Sequence, residues 1–454
     1  MEKKALSSRE IFTIGLMLFA LFLGAGNMIF PPFLGQEAGR HVWHGIFGFL
    51  ITGVGLPLLG VISIAKSGGD LQTLSSRVHP VYGLIFTAIM YLAIGPFFGI
   101  PRTGTVSFEI GVLPYLPEDV NANGLPLFIY SIVFFALTAW LSMNPSKLVD
   151  RIGKFLTPAL IIILAVLVIK SFVTPMGQPL APRGPYVDGP FFKGFIEGYL
   201  TMDTIAALVF GIVVISSIKE KGITNKSTVA KTCIYAGLIA ASGLALVYLS
   251  LAHIGATSTQ SIGIQDNGGA LLSAAAKHLY GDAGTLILGL AITFACITTS
   301  VGLVSSCAKY FAKIFPKMSY KLLVIILSLF SMVISNIGLT QLINVSLPVL
   351  IIIYPLAIVM IILSFFHNQF RGYRAVYVGA LIPTGIISII DGLKTANLDV
   401  SFFTEKLAFL PLFNEGIGWI VPAAAGAVLG LIIAVSRRHT AHAAVNSTTK
   451  EKAA

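Results

Sequence analysis

Apolar stretches long enough to cross a bilayer follow one another along almost the whole chain, separated by short polar segments. A spanning helix needs roughly 20 predominantly apolar residues. Stretches of about that length cover 11–33, 43–65, 81–104, 127–143, 154–173, 190–218, 232–254, 282–308, 320–337, 342–366, 374–391 and 415–436. This pattern predicts an all-α integral membrane protein with about 12 transmembrane helices. The longest polar stretch, 255–281, is too short for a soluble domain, so residues 1–454 read as one transmembrane domain.

The first stretch is interrupted in its middle. It reads IFTIGLMLFALFLGAGNMIFPPF, with Gly24-Ala25-Gly26-Asn27 halfway along and Pro31-Pro32 after it. Two glycines and an asparagine weaken a helix and free backbone N–H and C=O groups. At bilayer depth such groups persist only where protein, water or a ligand satisfies them. Glycines also permit close helix packing, but that reading suits isolated glycines better than this cluster. A broken span is where a secondary transporter puts its substrate and coupling ion.

The sixth stretch is also polar at its centre, Thr201-Met202-Asp203-Thr204. A carboxylate near the midplane is costly and a functional candidate. Thr201 or Asp203 could instead serve as the N-cap of a second half-helix over 204–218. Glu197 lies nearer the outer side and is expected in a salt bridge or hydrated vestibule, with Arg102 as a candidate partner. The eighth stretch carries Thr298-Thr299-Ser300 in an apolar run, with the Ala295 carbonyl one turn before. Together they offer hard oxygen donors suited to a small cation, although hydroxyls also bond to their own preceding turn.

Composition orients the chain rather than naming a polymer partner. It is 56% hydrophobic and 11% charged, with mean hydropathy +0.88, against about 25% charged in globular domains. The net charge of +11 suggests nucleic acid until its placement is read. With the N-terminus inside, 22 of the 30 Lys and Arg fall in inside segments. They include Lys3, Lys4 and Arg9, the 309–321 lysines, and Arg437, Arg438, Lys450 and Lys452. This is the positive-inside bias, and it predicts cytoplasmic termini. The count places Arg102 at the outer end of the third span. The N-terminal apolar run is too long for a signal peptide. Cys233, Cys296 and Cys307 lack CxxC spacing and read as buried thiols.

GAGNMIFPP at 24–32, EGYLTMDTIAALVFG at 197–211 and ACITTSVGLVSS at 295–306 resemble the bacterial branched-chain amino-acid carriers. These are cation-coupled symporters for leucine, isoleucine and valine, and the resemblance covers essentially the whole chain. It implies a LeuT-type fold with broken helices 1 and 6. The inverted five-helix halves would cover 11–173 and 190–366, with two peripheral helices over 374–436 and a cytoplasmic tail over 437–454. It further implies that Gly24, Ala25 and Gly26 contribute to the substrate site, with the amides of Ala25 and Gly26 facing the substrate carboxylate. Carbonyls of Ala20, Leu23 and Ala295 with the hydroxyls of Thr298 and Thr299 would hold sodium, and Phe22, Asn27 and Thr201 a possible second cation. Two departures from the wider superfamily stand out: position 30 is Phe where neurotransmitter-type relatives carry a gate arginine, and Asp203 introduces a charge.

The residues themselves agree with a zwitterionic substrate. The start of a half-helix attracts a carboxylate, while carbonyls and Asp203 suit an ammonium group. Leu200, Ala206, Leu303 and an aromatic from Phe97-Phe98 are candidates for an apolar sub-pocket. Such a pocket separates substrates differing by one methylene by only about 1–3 kcal/mol, so leucine, isoleucine and valine should overlap. A proton-coupled carrier using Asp203 or Glu197 and a passive channel are the alternatives. HExxH, GxSxG, paired catalytic aspartates and nucleotide-binding motifs are absent, which argues against an enzyme or direct ATP drive. The expectation is a multi-pass protein of the bacterial cytoplasmic membrane, monomeric or weakly oligomeric. Its partners would be lipid and an amino acid, with no cofactor beyond the coupling ion.

Overall fold

The computed structural model describes residues 6–117, 121, 124–143 and 148–451, with the backbone alone for 148–157, Lys226 and 438–451. Lys3, Lys4, Lys147 and Lys452, used in the charge count, lie outside the described residues. Among the described residues no β-strand occurs.

Ser7 opens the first helix with a reciprocal cap, its hydroxyl accepting from Glu10 N while the Glu10 carboxylate accepts from Ser7 N. The first half of the chain then forms α1 Ser8–Phe22, α2 Ala25–Ala38, α3 Val42–Leu50, α4 Leu56–Ser67 and α5 Leu71–Ser75. It continues with α6 Pro80–Leu92, α7 Gly99–Gly111, α8 Leu125–Ser142 and α9 Leu148–Val173. The second half forms α10 Pro190–Glu197, α11 Asp203–Glu220, α12 Lys226–Ile262, α13 Gly268–Ile314 and α14 Tyr320–Ser335. The chain closes with α15 Leu339–Phe365, α16 Arg374–Thr395, the short α17 Ser401–Leu407 and α18 Ile420–Glu451.

Each apolar stretch falls on helix. Eight helical segments among the described residues are long and apolar enough to cross a membrane, or nine if α10 and α11, bent by 42°, count as one span. Pro158–Val173 and Tyr320–Ser335 are shorter apolar helices.

The first span breaks at Leu23–Gly24, and α2 then runs on through Pro31 and Pro32. Two expectations need correction. The stretch 255–281 is mostly helix: α12 reaches Ile262, α13 starts at Gly268, and its one kink is Gly281 at φ 64°. The third span does not end near residue 104, for α7 continues to Gly111, and Arg102 lies inside it with 1% exposure. A wide π-turn over Ala93–Phe97, with Gly95 non-helical and Pro96 lacking an N–H, joins α6 to α7.

By its internal contacts the chain divides into two compact units. One comprises the chain up to Ala65 with Ala88–Leu347; the other comprises Lys66–Thr87 with the chain from Pro348. Within the second unit, Tyr377 Oη meets His367 Nδ1 at 2.9 Å and accepts from Arg77 Nη1 at 3.3 Å. Within the first, α2 lies backbone to backbone against α12. A Cβ at Gly255 would sit 1.8 Å from the Pro32 carbonyl oxygen, and one at Gly35 would sit 2.0 Å from that of Ala252. Small residues permit this approach where lipid supplies no hydrophobic drive between helices. Gly255→Ala is therefore expected to lower stability by about 1–3 kcal/mol through overpacking. A depressed melting temperature of the detergent-purified variant checks it; an unchanged one would mean that α2 and α12 separate freely.

Candidate functional site

The site begins where α1 stops. Leu23 leaves the helical region at ψ 79°, and Gly24 is extended at φ −110°, ψ −170°. The Gly24 amide, which would close the next turn onto Ala20 O, goes to Phe22 O at 2.7 Å and Asn27 Oδ1 at 2.9 Å. The carbonyl end of α1 thus meets the amide end of α2, which brings partial negative and partial positive charge together.

The sixth span breaks at Met202, a left-handed residue at φ 60°, ψ 13° between a 3-10 turn over Gly198–Thr201 and α11. This conformation costs a non-glycine residue on the order of 1 kcal/mol. Thr201 secures it by donating to Gly198 O at 2.9 Å and accepting from Asp203 N at 3.3 Å. Asp203 is therefore not the N-cap; it is the first residue of α11, and its carboxylate is used elsewhere. Asp203 Oδ2 accepts from Asn27 Nδ2 at 2.7 Å and from Tyr248 Oη at 2.6 Å. Asn27 Nδ2 also donates to Tyr248 Oη. One buried network ties α2, α11 and α12 together at the two breaks.

A cavity lies between the breaks, with about 50 Å³ open to the centres of water molecules. That is more than the ~10–15 Å³ that a single water needs. Phe22, Gly24, Ala25, Gly26, Asn27, Thr201, Asp203, Ala206, Thr299 and Leu303 line it. Seven other candidates do not. Ala20, Leu23, Ala295 and Thr298 are not among the lining residues, and Thr298 Oγ1 donates to Ala295 O at 2.7 Å. Phe98 is buried outside the lining, and Phe97 is 41% exposed with its ring against Phe330 at 5.2 Å. Leu200 lies outside the lining too, its carbonyl held by Arg102. Thr299 stays near the first break, since a Cβ on Gly24 would meet its Cγ2 at 3.5 Å.

Leu21, Ile94, Gly99, Arg102, Thr103, Met202 and Phe210 complete the lining and were not foreseen. Arg102 is the most consequential. Its Nη1 donates to Leu200 O at 2.5 Å, its Nη2 to Ser346 Oγ at 3.1 Å, and its guanidinium lies 5.0 Å from the Phe30 ring centre. The third stretch reads as ending at residue 104, although the apolar run resumes at Val106. Tyr248 was missed as well; its signal was a phenol in an apolar run, whose hydroxyl must find a partner. Glu197 is indeed in a salt bridge, with Lys193 at 3.1 Å, and accepts from Tyr186 Oη at 2.5 Å, whereas Arg102 reaches Leu200 and Ser346. Cys233, Cys296 and Cys307 are free and buried.

A multi-pass helical protein whose spans break around a cavity lined by helix ends has the architecture of a membrane transporter. The chain belongs to the branched-chain amino acid transport protein family, whose model matches residues 7–437, and it is a transporter rather than an enzyme. It is 51% identical over 435 residues to the branched-chain amino acid permease BraB of Bacillus subtilis, covering 95% of this chain and 97% of the relative. The branched-chain amino acid permease BrnQ of Escherichia coli is 42% identical over 431 residues, covering 94% and 96%. Among solved structures, MhsT in complex with L-phenylalanine matches with TM-score 0.55 and 16% identity over 95% of this chain and 99% of that one. Mhp1, a nucleobase-cation-symport-1 family transporter, matches with TM-score 0.60 and 14% identity over 93% and 91%. The chain shares the LeuT-type fold of these transporters.

Proposed function

We propose that the protein is a secondary active symporter that imports leucine, isoleucine and valine with sodium by alternating access. The observation that carries this reading is the meeting of two helix breaks and the buried Asp203 at one small cavity with a partly apolar lining. Amides of Ala25 and Gly26 at the start of α2 receive the substrate carboxylate, with Gly24 giving the approach room. Asp203 receives the ammonium group. Ala206 and Leu303, together with Ile94 and Phe210, take the branched side chain. The Ala20 and Leu23 carbonyls, freed at the end of α1, complete an oxygen shell for sodium with Ala295, Thr298 and Thr299. Phe22, Asn27 and Thr201 offer a second cation position. We place the chain in the bacterial cytoplasmic membrane, with twelve crossings, ten of them in two inverted five-helix halves and two peripheral, and both termini inside.

The names of the relatives support the substrate class, and the positive-inside pattern supports the orientation. Purified protein in proteoliposomes is expected to take up labelled leucine saturably, with isoleucine and valine competing. Uptake should be driven by an imposed sodium gradient and not by a proton gradient. Proton-driven, sodium-independent uptake would replace sodium by an Asp203 proton carrier. Flux linear in leucine and indifferent to both gradients would make the protein a channel.

A further inference from the structure

We infer that Arg102 reads the substrate's carboxylate, so that the cavity recognises a zwitterion through one buried cation and one buried anion. This deepens the amino-acid transport reading above and rests on it. Arg102 and Asp203 are 1% and 2% exposed and border the same cavity, Arg102 from α7 and Asp203 from the start of α11. A charge at this depth is costly unless held or used. The structure shows how the guanidinium is held: on Leu200 O in the turn before the break, on Ser346 Oγ of α15, and over the Phe30 ring.

Those contacts fix a planar group with five N–H donors in the lining of the cavity. Guanidinium matches carboxylate geometry better than any other side chain. The α2 amides and Arg102 then receive the carboxylate, and Asp203, beside the start of α2, receives the ammonium on the same carbon. Ile94, Ala206, Phe210 and Leu303, which also line the cavity, accept the side chain. A ligand lacking either charge forgoes one charge-assisted contact, which penalises amines, alcohols and keto acids.

The test compares leucine with leucinol, which keeps the ammonium and side chain but lacks the carboxylate. Affinities are read by ligand-induced thermal-shift titration of purified carrier. Wild type should favour leucine by on the order of 100-fold, as charge-assisted bonds imply. In Arg102→Gln the leucine affinity should fall at least about tenfold, while leucinol should move by less than roughly threefold. Arg102→Lys, which keeps the charge and one donor to Leu200 O, should retain part of the preference. It is read by the same ratio if the glutamine variant does not fold.

Equal losses for leucine and leucinol would make Arg102 only a brace for the Leu200 carbonyl and overturn the inference. So would unchanged leucine affinity, or a wild type that binds both ligands equally. A wild type that binds neither would instead remove the amino-acid reading itself.

Discussion

Asp203→Asn is expected to reduce leucine uptake on the order of 10- to 100-fold while the protein still reaches the membrane in normal amount. The fold should tolerate the change. Asp203 Oδ2 accepts from Asn27 and Tyr248, and an amide oxygen in the same place accepts both bonds. The substitution therefore removes charge and leaves the tie between α2, α11 and α12 in position. What it takes away is the anion proposed to receive the substrate's ammonium group. Whole-cell or vesicle uptake, normalised to protein in the membrane, measures the effect. Near-normal kinetics would reduce Asp203 to a hydrogen-bond acceptor at the break. Retained exchange with lost pH-driven accumulation would make it the proton carrier.

Replacing Thr298 and Thr299 together by valine is expected to raise the sodium concentration for half-maximal uptake by at least about tenfold. Valine keeps the shape of threonine and removes its oxygen, so the loss of two ligands at ~1 kcal/mol or more each sets the scale. The two positions contribute unequally. Thr298 already donates to Ala295 O at 2.7 Å, which leaves its oxygen able to accept a cation while its proton is occupied. Thr299 lines the cavity beside Gly24, so its single substitution should carry the larger share. Sodium titration of leucine uptake decides the matter, and an unchanged sodium dependence in the double variant would remove both residues from the cation site.

Much of this was legible in the chain itself, for a physical reason. In hydrocarbon every backbone polar group must be satisfied within the segment, so each span announces itself by length and apolarity. Departures such as Gly24–Asn27 and Met202-Asp203 stand out against that background. Membrane class, helical fold and the two interruptions follow from local sequence alone.

What tertiary structure decided was the partner of each polar group. Asp203 could equally have capped α11, and only the approach of Asn27 and Tyr248, far off in sequence, turned its carboxylate inward. Pro31 and Pro32 look like helix breakers, yet α2 runs through them while packed against α12. Arg102 reads as the outer end of the third span. After the π-turn at Ala93–Phe97 the helix runs on to Gly111, and the guanidinium is buried against Leu200, Ser346 and Phe30. Phe97 and Phe98 were interchangeable as pocket aromatics until the turn set their directions, one ring toward Phe330 and the other into the interior. Hydropathy reports whether a residue tolerates lipid; which neighbour a buried hydroxyl, carboxylate or guanidinium meets depends on helices that the chain brings together only when it folds.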